Sequence, residues 1–291
     1  MINAPAIVVF GSLHYDIIVK GPARPRKGET LIGEAWNPAC GGKGGNQAVS
    51  AARKGVRSAM IGAVADDAFG GALLAHLDQH GVERQHVRVL EGAGTGMSVA
   101  LFDAEGDYGA VVVSGSNLRL GREDVEAAAA LFAPGNILLL QNEVPEAGNI
   151  LAASAMKRAG GRVILNAAPA KPLSPELAAL VDILVVNALE AEALAGCAAI
   201  EGLQDALVAA RMLSRDFGTA VVTAGGEGVA YAVRDGREGC IPAIKVKLVS
   251  THGAGDEFIG ALASELLLGR DIGQALEVAN RAAAALVSRE R

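Results

Sequence analysis

Residues 136–167 read NILLLQNEVPEAGNILAASAMKRAGGRVILNA and contain two short apolar runs on either side of an alanine-rich segment. The runs NILLLQN and GRVILNA are rich in leucine or β-branched residues and do not alternate with polar ones, which is typical of strands buried on both faces. The segment EAGNILAASAMKR between them has helical spacing. The stretch therefore predicts a strand–helix–strand unit with parallel strands.

The same alternation extends over most of the chain. Further apolar runs are AIVVFGS, VDILVVN and GTAVVTAGG, and further helical segments are NQAVSAARKG, EDVEAAAALF and LQDALVAARMLSRD. Alternating strands and helices predict an α/β fold, with a doubly wound, mainly parallel sheet covered by helices on both faces. Because there is no repeat, low-complexity tract or linker, we expect a single domain over residues 1–291.

Two segments break this pattern, at about residues 15–36 and 97–113. Both alternate apolar and polar residues around turn-forming ones, and MSVALFDAEGDYGAVVV predicts an antiparallel hairpin that turns at Glu105, Gly106 and Asp107. We expect these segments to form a small β-sheet lid on the main domain.

Composition excludes several classes of function. The 291 residues are 51% hydrophobic and 20% charged, and a net charge of −6 without a dense Lys/Arg cluster argues against nucleic acid as a partner. The three cysteines form no CxxC pair, which indicates a reducing compartment. With no basic leader before the first apolar run and no membrane-spanning run, we expect a soluble cytoplasmic protein with no membrane partner.

Polar residues follow the predicted strands where ligands collect in parallel sheets, beyond the carboxyl ends. They occur at four places: His14 with Asp16, Asn142 with Glu143, Asn166, and Asn187. A purely structural loop has no need for such groups, so the pattern predicts a ligand site at this edge.

Residues 251–258, THGAGDEF, place a loop of small residues directly before a carboxylate and the helical run FIGALASELLL. Gly253, Ala254 and Gly255 allow close approach to the backbone, and amide groups at a helix N-terminus bind anions. Asp256 is either the helix cap or a catalytic group.

A second glycine-rich stretch, ACGGKGGNQA at residues 39–48, offers a cation at Lys43 and an amide at Asn46. The alternative is a flexible turn capped by Asn46. The stretch is not a Walker A loop, since glycine follows Gly42-Lys43, and the chain contains no GxGxxG, HExxH or GxSxG.

Two further places have a structural and a functional interpretation. Asn187 and Glu190 in VVNALEAEAL form either a local cap or a carboxylate that orders water around Mg²⁺. Thr223, Gly225 and Gly228 in VVTAGGEGVAY form either a turn between strands or a surface against which a nucleotide lies.

Taken in order, GGKGGNQA, NALE and STHGAGD resemble the signatures of the ribokinase-like (PfkB family) carbohydrate kinases. The resemblance covers essentially the whole chain and includes GSLHYD, QNE, NAAPA and TAGGEG. It implies an ATP-dependent, Mg²⁺-requiring kinase that phosphorylates a primary hydroxyl of ribose or a related small sugar. It also implies a homodimer formed through the β lid.

The resemblance assigns roles to individual positions. Asp256 would be the general base, and Gly253, Ala254 and Gly255 would form the anion hole. Glu190 would act on Mg²⁺ through water. Sugar contacts would fall to His14, Asp16, Gly42, Lys43, Asn46 and Glu143, and nucleotide contacts to Asn187, Thr223, Gly225, Gly228 and Asn280.

The chain also departs from the family pattern. His14 stands where ribokinases have asparagine, which leaves open a nucleoside or sugar-acid kinase. Ser250, beside Thr251 in the implied monovalent-cation site, replaces a common aspartate, which puts K⁺ activation in doubt. The sequence stops at Arg291 without the usual short tail near the nucleotide and cation sites. A sugar-binding or regulatory protein with little catalysis is the remaining alternative.

Overall fold

The computed structural model describes residues 4–105, 108–251 and 253–289. Its large sheet has nine strands: β1 (Ala6–Phe10), β4 (Arg57–Ala65), β5 (Glu83–Leu90), β8 (Ile137–Gln141), β9 (Arg162–Asn166), β10 (Ile183–Asn187), β11 (Thr219–Thr223), β12 (Gly228–Val233) and β13 (Glu238–Pro242). Their order is β13-β12-β11-β10-β9-β8-β1-β4-β5. All neighbours pair in parallel except β11 with β12 and β12 with β13.

Helices cover both faces of this sheet, so the predicted doubly wound α/β fold is confirmed. One apolar core lies under α1 (Lys43–Arg53), α2 (Ala68–Gln79), α8 (Ala254–Leu267) and α9 (Ile272–Val287). The other lies under α3 (Arg122–Ala127), α4 (Glu146–Arg158), α5 (Pro175–Ala178), α6 (Ala188–Ala195) and α7 (Leu203–Phe217). None of these helices is long and apolar enough to cross a membrane.

The stretch 136–167 folds as its pattern predicts, into β8, α4 and β9. Every residue of β8 is buried, and β8 pairs in parallel with β9 so that Gln141 lies opposite Asn166. Segment EDVEAAAALF is less regular than predicted, because α3 ends at Ala127 and a separate 3₁₀ turn covers Ala129–Leu131. That turn places Leu131 in the core.

A second sheet has four strands in the order β3-β2-β6-β7. They are β2 (His14–Lys20), β3 (Ala35–Gly41), β6 (Met97–Phe102) and β7 (Tyr108–Val113). The predicted hairpin is present, since β6 and β7 are antiparallel with Met97 opposite Val113. Of its predicted turn, Gly106 and Asp107 lie outside the described residues.

The first lid segment differs from the sequence-based expectation. Residues 21–34 form no strand, consistent with Pro22 and Pro25, which lack the amide hydrogen that a sheet needs. The strand β3 instead continues past residue 36 to Gly41. His14 and Asp16 belong to β2 of the small sheet and do not end a strand of the large sheet.

Helices α1 and α8 pack against each other at short range. A side chain at Gly260 would overlap Ser50, whose hydroxyl donates to the Glu257 carbonyl at 3.1 Å. Lys54 adds an ion pair with Glu257 at 2.7 Å. The two helices therefore form one closely joined unit beside the carboxyl ends of the strands.

Candidate active site

The glycine-rich loop before α1 packs directly on the backbone that leads from β1 into β2. Gly42 has φ 84°, and a Cβ there would lie 2.7 Å from the His14 nitrogen and 2.8 Å from Leu13 Cα. A Cβ at Gly44 would lie 2.7 Å from the Ser12 nitrogen. Only glycine fits at these positions, and the start of α1 is fixed beside residues 12–14.

Glu143, just after β8, joins this loop to the main sheet. Its Oε2 accepts a hydrogen bond from the Lys43 amide at 3.0 Å and another from the Ser12 hydroxyl. The Nδ1 atom of His14 lies 3.7 Å from the same oxygen. His14 is buried, and its Nε2 has no hydrogen-bond partner among the described residues. A buried polar atom of this kind is a candidate contact for a ligand.

Asp16 lies on β2 and is also buried. Its Oδ1 accepts a hydrogen bond from the Ser98 hydroxyl, and its Oδ2 occupies space that a side chain at Gly41 would take. The glycine at the end of β3 therefore lets β2 present this carboxylate.

A cavity of about 650 Å³ opens beside these residues. His14, Lys43 and Glu143 line it, together with Glu190 and Lys171, but Asp16, Gly42, Asn46 and Asp256 are not among its lining residues. Three of the six predicted sugar contacts thus share one cavity with the predicted magnesium carboxylate.

Asp256 does not cap α8. The N-cap is Gly253, with φ 77°, and Asp256 lies in the first turn with its carboxylate directed at α1. Its Oδ2 accepts from Asn46 Nδ2 at 2.9 Å, and its Oδ1 accepts from Gln47 Nε2 at 3.0 Å. Asn46, for its part, is not the cap of α1, whose N-cap is Gly42. The structure therefore rules out the capping interpretations of both side chains.

The environment of Asp256 changes its acidity. Burial raises its pKa above the ordinary aspartate value, and Lys43, together with the amides of Asn46 and Gln47, acts against that shift. Glu143 adds to the increase in pKa. A carboxylate whose pKa is raised is a better proton acceptor than one with the ordinary pKa.

The loop before Asp256 leaves room for a ligand at the helix N-terminus. The Ala254 amide donates to the Thr251 carbonyl at 3.2 Å, whereas the amides of Gly255 and Asp256 belong to the first turn, where no carbonyl of the helix can accept from them. Among the residues that the structure describes, no neighbouring group lies within 4 Å of the Cβ position at Gly255. The geometry suits an anion held by backbone amides.

Gln47 is part of this site, although sequence reasoning gave it no role. It is fully buried, and besides Asp256 its Nε2 donates to Asn166 Oδ1 at 3.1 Å. Its Oε1 accepts from Gln141 Nε2 at 2.8 Å. A long amide next to Asn46, in a helix that is otherwise rich in small residues, was the signal available in the sequence.

Asn187 and Glu190 form a reciprocal cap at the start of α6. The Glu190 amide donates to Asn187 Oδ1 at 2.8 Å, and the Asn187 amide donates to Glu190 Oε2 at 2.9 Å. Glu190 is buried, and burial raises its pKa while the nearby Lys43 acts in the opposite direction. The capping interpretation is confirmed, and the same carboxylate also faces the cavity.

The remaining predicted nucleotide contacts lie near the ends of β11 and β13. The Thr223 hydroxyl donates to the Val186 carbonyl at 3.4 Å, and Gly225 has φ 52° with open space around its Cβ position. Asn280 donates to the Pro242 carbonyl at 2.8 Å. Gly228 packs so closely on the Ile241 carbonyl that a side chain would overlap it, which explains this glycine without a ligand.

The predicted cation residues lie in the segment before α8. The Ser250 amide donates to the Val287 carbonyl of α9 at 3.3 Å, and Thr251 is exposed. In the described part of the chain, no group of three or more His, Cys, Asp or Glu side chains could hold a metal ion.

Comparison with known proteins gives one consistent result. Residues 4–291 match the family described as pfkB family carbohydrate kinase. A ribokinase of Bacillus subtilis (strain 168) is 37% identical over 283 residues, covering 95% of this chain and 91% of the relative. A ribokinase of Haemophilus influenzae is 33% identical over 284 residues, covering 98% and 92%. The structure of Arabidopsis thaliana ribokinase complexed with ribose and ATP is similar, with a TM-score of 0.90, 30% identity and coverage of 99% and 94%.

Proposed function

Because this chain belongs to the pfkB family of carbohydrate kinases, it is a phosphotransferase with an alcohol group as acceptor, and we propose that it transfers the γ-phosphoryl group of ATP to a primary hydroxyl of ribose or a related small sugar. The proposal of ribose and ATP is supported by the relatives, which are ribokinases, one of them in complex with both compounds.

The observation that carries the mechanism is the position of Asp256. Its carboxylate lies buried at the N-terminus of α8 and is hydrogen-bonded to the helix that begins with the glycine-rich loop. Asp256 would accept the proton of the attacking sugar hydroxyl as the new oxygen–phosphorus bond forms and the bond to the leaving ADP oxygen breaks. Burial raises the pKa of Asp256 above the ordinary aspartate value, which makes its carboxylate a stronger base.

The acceptor would lie between the small sheet and the start of α1. Glu143 and His14 face the cavity, and Asp16 is held beside it by Ser98. Carboxylates accept from several hydroxyls at once, and the unpartnered Nε2 of His14 would gain a partner from a bound polyol. Gly42, Lys43 and Asn46 would complete the sugar contacts from α1.

The loop Gly253, Ala254 and Gly255 would stabilise the phosphoryl group during transfer. Amides at a helix N-terminus favour negative charge, and donors fixed in advance act most strongly where charge builds in the transition state. The open space in front of Gly255 supports this role.

The nucleotide would lie over the ends of β10 and β11. Asn187 and Thr223 are adjacent there, paired across the two strands, and Gly225, Gly228 and Asn280 follow in the neighbouring loops and helix.

Glu190 fits a role toward Mg²⁺, because it is a buried carboxylate in the same cavity and Mg²⁺ is usually held by one or two carboxylates together with substrate phosphates. When bound, Mg²⁺ would neutralise charge on the phosphates of ATP. Ser250 brings no carboxylate to the cation site beside Thr251, so we propose that turnover does not depend on K⁺.

We further propose a homodimer formed through the small sheet in the cytoplasm. Trp36 on β3 and Val111 and Val113 on β7 are exposed apolar residues of that sheet, and burial against a second copy would remove them from water. All three cysteines are free, in keeping with a reducing compartment.

The experiment that tests the function is ADP release from ATP and Mg²⁺ across pentoses, deoxypentoses, hexoses, sugar acids and nucleosides, with and without K⁺. We expect turnover on ribose or a close relative, and equal rates with Na⁺ and K⁺. Turnover confined to a nucleoside or a sugar acid would overturn the proposed substrate. No turnover on any compound, by folded protein that still binds a sugar, would overturn the proposed kinase activity.

A further inference from the structure

We propose that Gln47 is a positioning residue for Asp256, and that Gln141 supports the orientation in which Gln47 donates its hydrogen bond. The proposal rests on the proposed function, in which Asp256 is the general base.

The hydrogen bonds that link Gln141, Gln47 and Asp256 have a defined direction. Gln141 Nε2 donates to Gln47 Oε1 at 2.8 Å, and Gln47 Nε2 donates to Asp256 Oδ1 at 3.0 Å. If the Gln47 amide were turned over, its nitrogen would face the Gln141 nitrogen and its oxygen would face the carboxylate. Both contacts would be repulsive, so the Gln141 donor and the Asp256 carboxylate together favour the orientation in which Gln47 donates to Asp256.

Burial protects these hydrogen bonds from water. Gln47 and Gln141 are both 0% exposed, so water cannot replace either hydrogen bond. Asn166 accepts a second hydrogen bond from Gln47 Nε2, and the backbone carbonyl of Gln141 accepts from Asn149 Nδ2 at 2.8 Å. Two of these buried hydrogen bonds run in series, from Gln141 to Gln47 and from Gln47 to Asp256, and the first polarises the second.

The Asp256 carboxylate keeps acceptor positions for a ligand. Asn46 binds Oδ2 and Gln47 binds Oδ1, which fixes the plane of the Asp256 carboxylate. Each oxygen of a carboxylate has about two acceptor positions, so each keeps one for another donor. Gln47 therefore fixes the direction from which a sugar hydroxyl can approach the base.

The charged groups around Asp256 come from three elements. Lys43 on α1 and Glu143 after β8 both act on it, and Glu257 on its own helix is paired with Lys54. None of these groups is altered by replacing Gln47 with a neutral side chain. A change in the titration of Asp256 in such a variant therefore reports the loss of the amide donor itself.

The test uses Gln47→Met, Gln141→Met and the double variant, since methionine keeps the length of glutamine without a donor. With the best acceptor, we expect Gln47→Met to lower kcat about tenfold to a hundredfold, the value of one hydrogen bond to a charged group. The sugar KM should stay within about twofold, and the acidic limb of the kcat profile should move up by about one pH unit. Gln141→Met should change both quantities in the same direction by less, and the double variant should equal Gln47→Met.

The control is Asn136→Leu, which removes another buried amide at the opposite end of β8. Asn136 bonds the Ala6 amide and the Leu131 carbonyl, far from the carboxyl ends of the strands. It should lower stability and leave the pH limb in place. If Gln47→Met does not fold, Gln141→Met carries the test, because among the described residues no hydrogen bond joins Gln141 directly to Asp256.

An unchanged pH limb in Gln47→Met and Gln141→Met, or additive effects in the double variant, would overturn the proposal. A second readout needs no turnover: the ¹³C shift of the Asp256 carboxyl, followed against pH in wild type and Gln47→Met. If the wild type lacks kinase activity but this titration still moves, the proposed function fails and the positioning by Gln47 stands. If activity is present and the titration does not move, the positioning by Gln47 fails alone.

Discussion

Replacing Gly255 by alanine tests the proposed anion hole without destabilising helix α8. Gly255 is exposed in the first turn of α8, its φ lies outside the left-handed range, and a Cβ there would meet none of the surrounding described residues within 4 Å. Because alanine restricts the unfolded chain more than glycine and suits a helix better, Gly255→Ala should leave the free energy of unfolding unchanged or raise it by up to about 1 kcal/mol.

Catalysis should change in the opposite direction. A phosphoryl oxygen that accepts from a backbone amide approaches its nitrogen to about 2.9 Å, whereas carbon and oxygen atoms stay about 3.5 Å apart. The added methyl group would push the phosphoryl group away from its donors. The loss of one such donor lowers kcat about 10²- to 10³-fold, so we expect a fall of that order.

The matched control is Gly71→Ala, at an exposed helical glycine near the start of α2 that also has open space around its Cβ position. Urea unfolding should show similar changes in the two variants, while steady-state ADP release should fall only in Gly255→Ala. If Gly255→Ala kept kcat within about twofold of wild type, the loop would not hold the transferred phosphoryl group.

Three further predictions concern single residues. Asp256→Asn should lower kcat by about 10³-fold or more, while calorimetry shows that sugar affinity is retained. Because burial raises the pKa of Asp256, its ionisation opposes folding, so the melting temperature of the variant should rise relative to wild type as the pH rises above the ordinary aspartate range. A difference in melting temperature that narrows with pH would contradict this. His14→Asn should change the ratio of kcat/KM for ribose to that for the best other acceptor at least about tenfold, and an unchanged ratio would remove His14 from the specificity site. Gly42→Ala should lower the free energy of unfolding by about 3 kcal/mol or more in urea titrations, because φ 84° and the nearby backbone leave no room for a Cβ. An unaltered urea midpoint would contradict the close packing of the loop.

The strands of the large sheet could be predicted where both faces are buried. The runs that form β1, β8, β9, β10 and β11 are continuous apolar segments, and such segments are typical of strands buried on both faces. The edge strand β5 was not predicted. Its sequence ERQHVRVL is half exposed, and an edge strand with many charges resembles a loop.

Candidate site residues could be proposed one at a time from the sequence, but the contacts between them could not. Asp256 and Asn46 were both proposed from their own motifs, yet 210 positions separate them, and only the packing of α1 on α8 shows that they share a hydrogen bond. The contact between Gln47 and Gln141 could not be predicted, because it joins two residues that are far apart in the sequence. Gly228 shows that one residue type can have two explanations, since a glycine that suits a nucleotide also suits a close approach of two strands.

The close packing of α1 on α8 has a consequence for how specificity can change. Asn46 and Asp256 lie on two helices joined through Ser50 and Glu257, whereas Asp16 and Ser98 lie on strands of the small sheet. Under the proposed function, substitutions in those strands would alter which hydroxyls are recognised without moving Asp256 relative to Asn46. Libraries for a new acceptor sugar are therefore best built in β2 and β6, with the interface between α1 and α8 kept constant as the frame that preserves turnover.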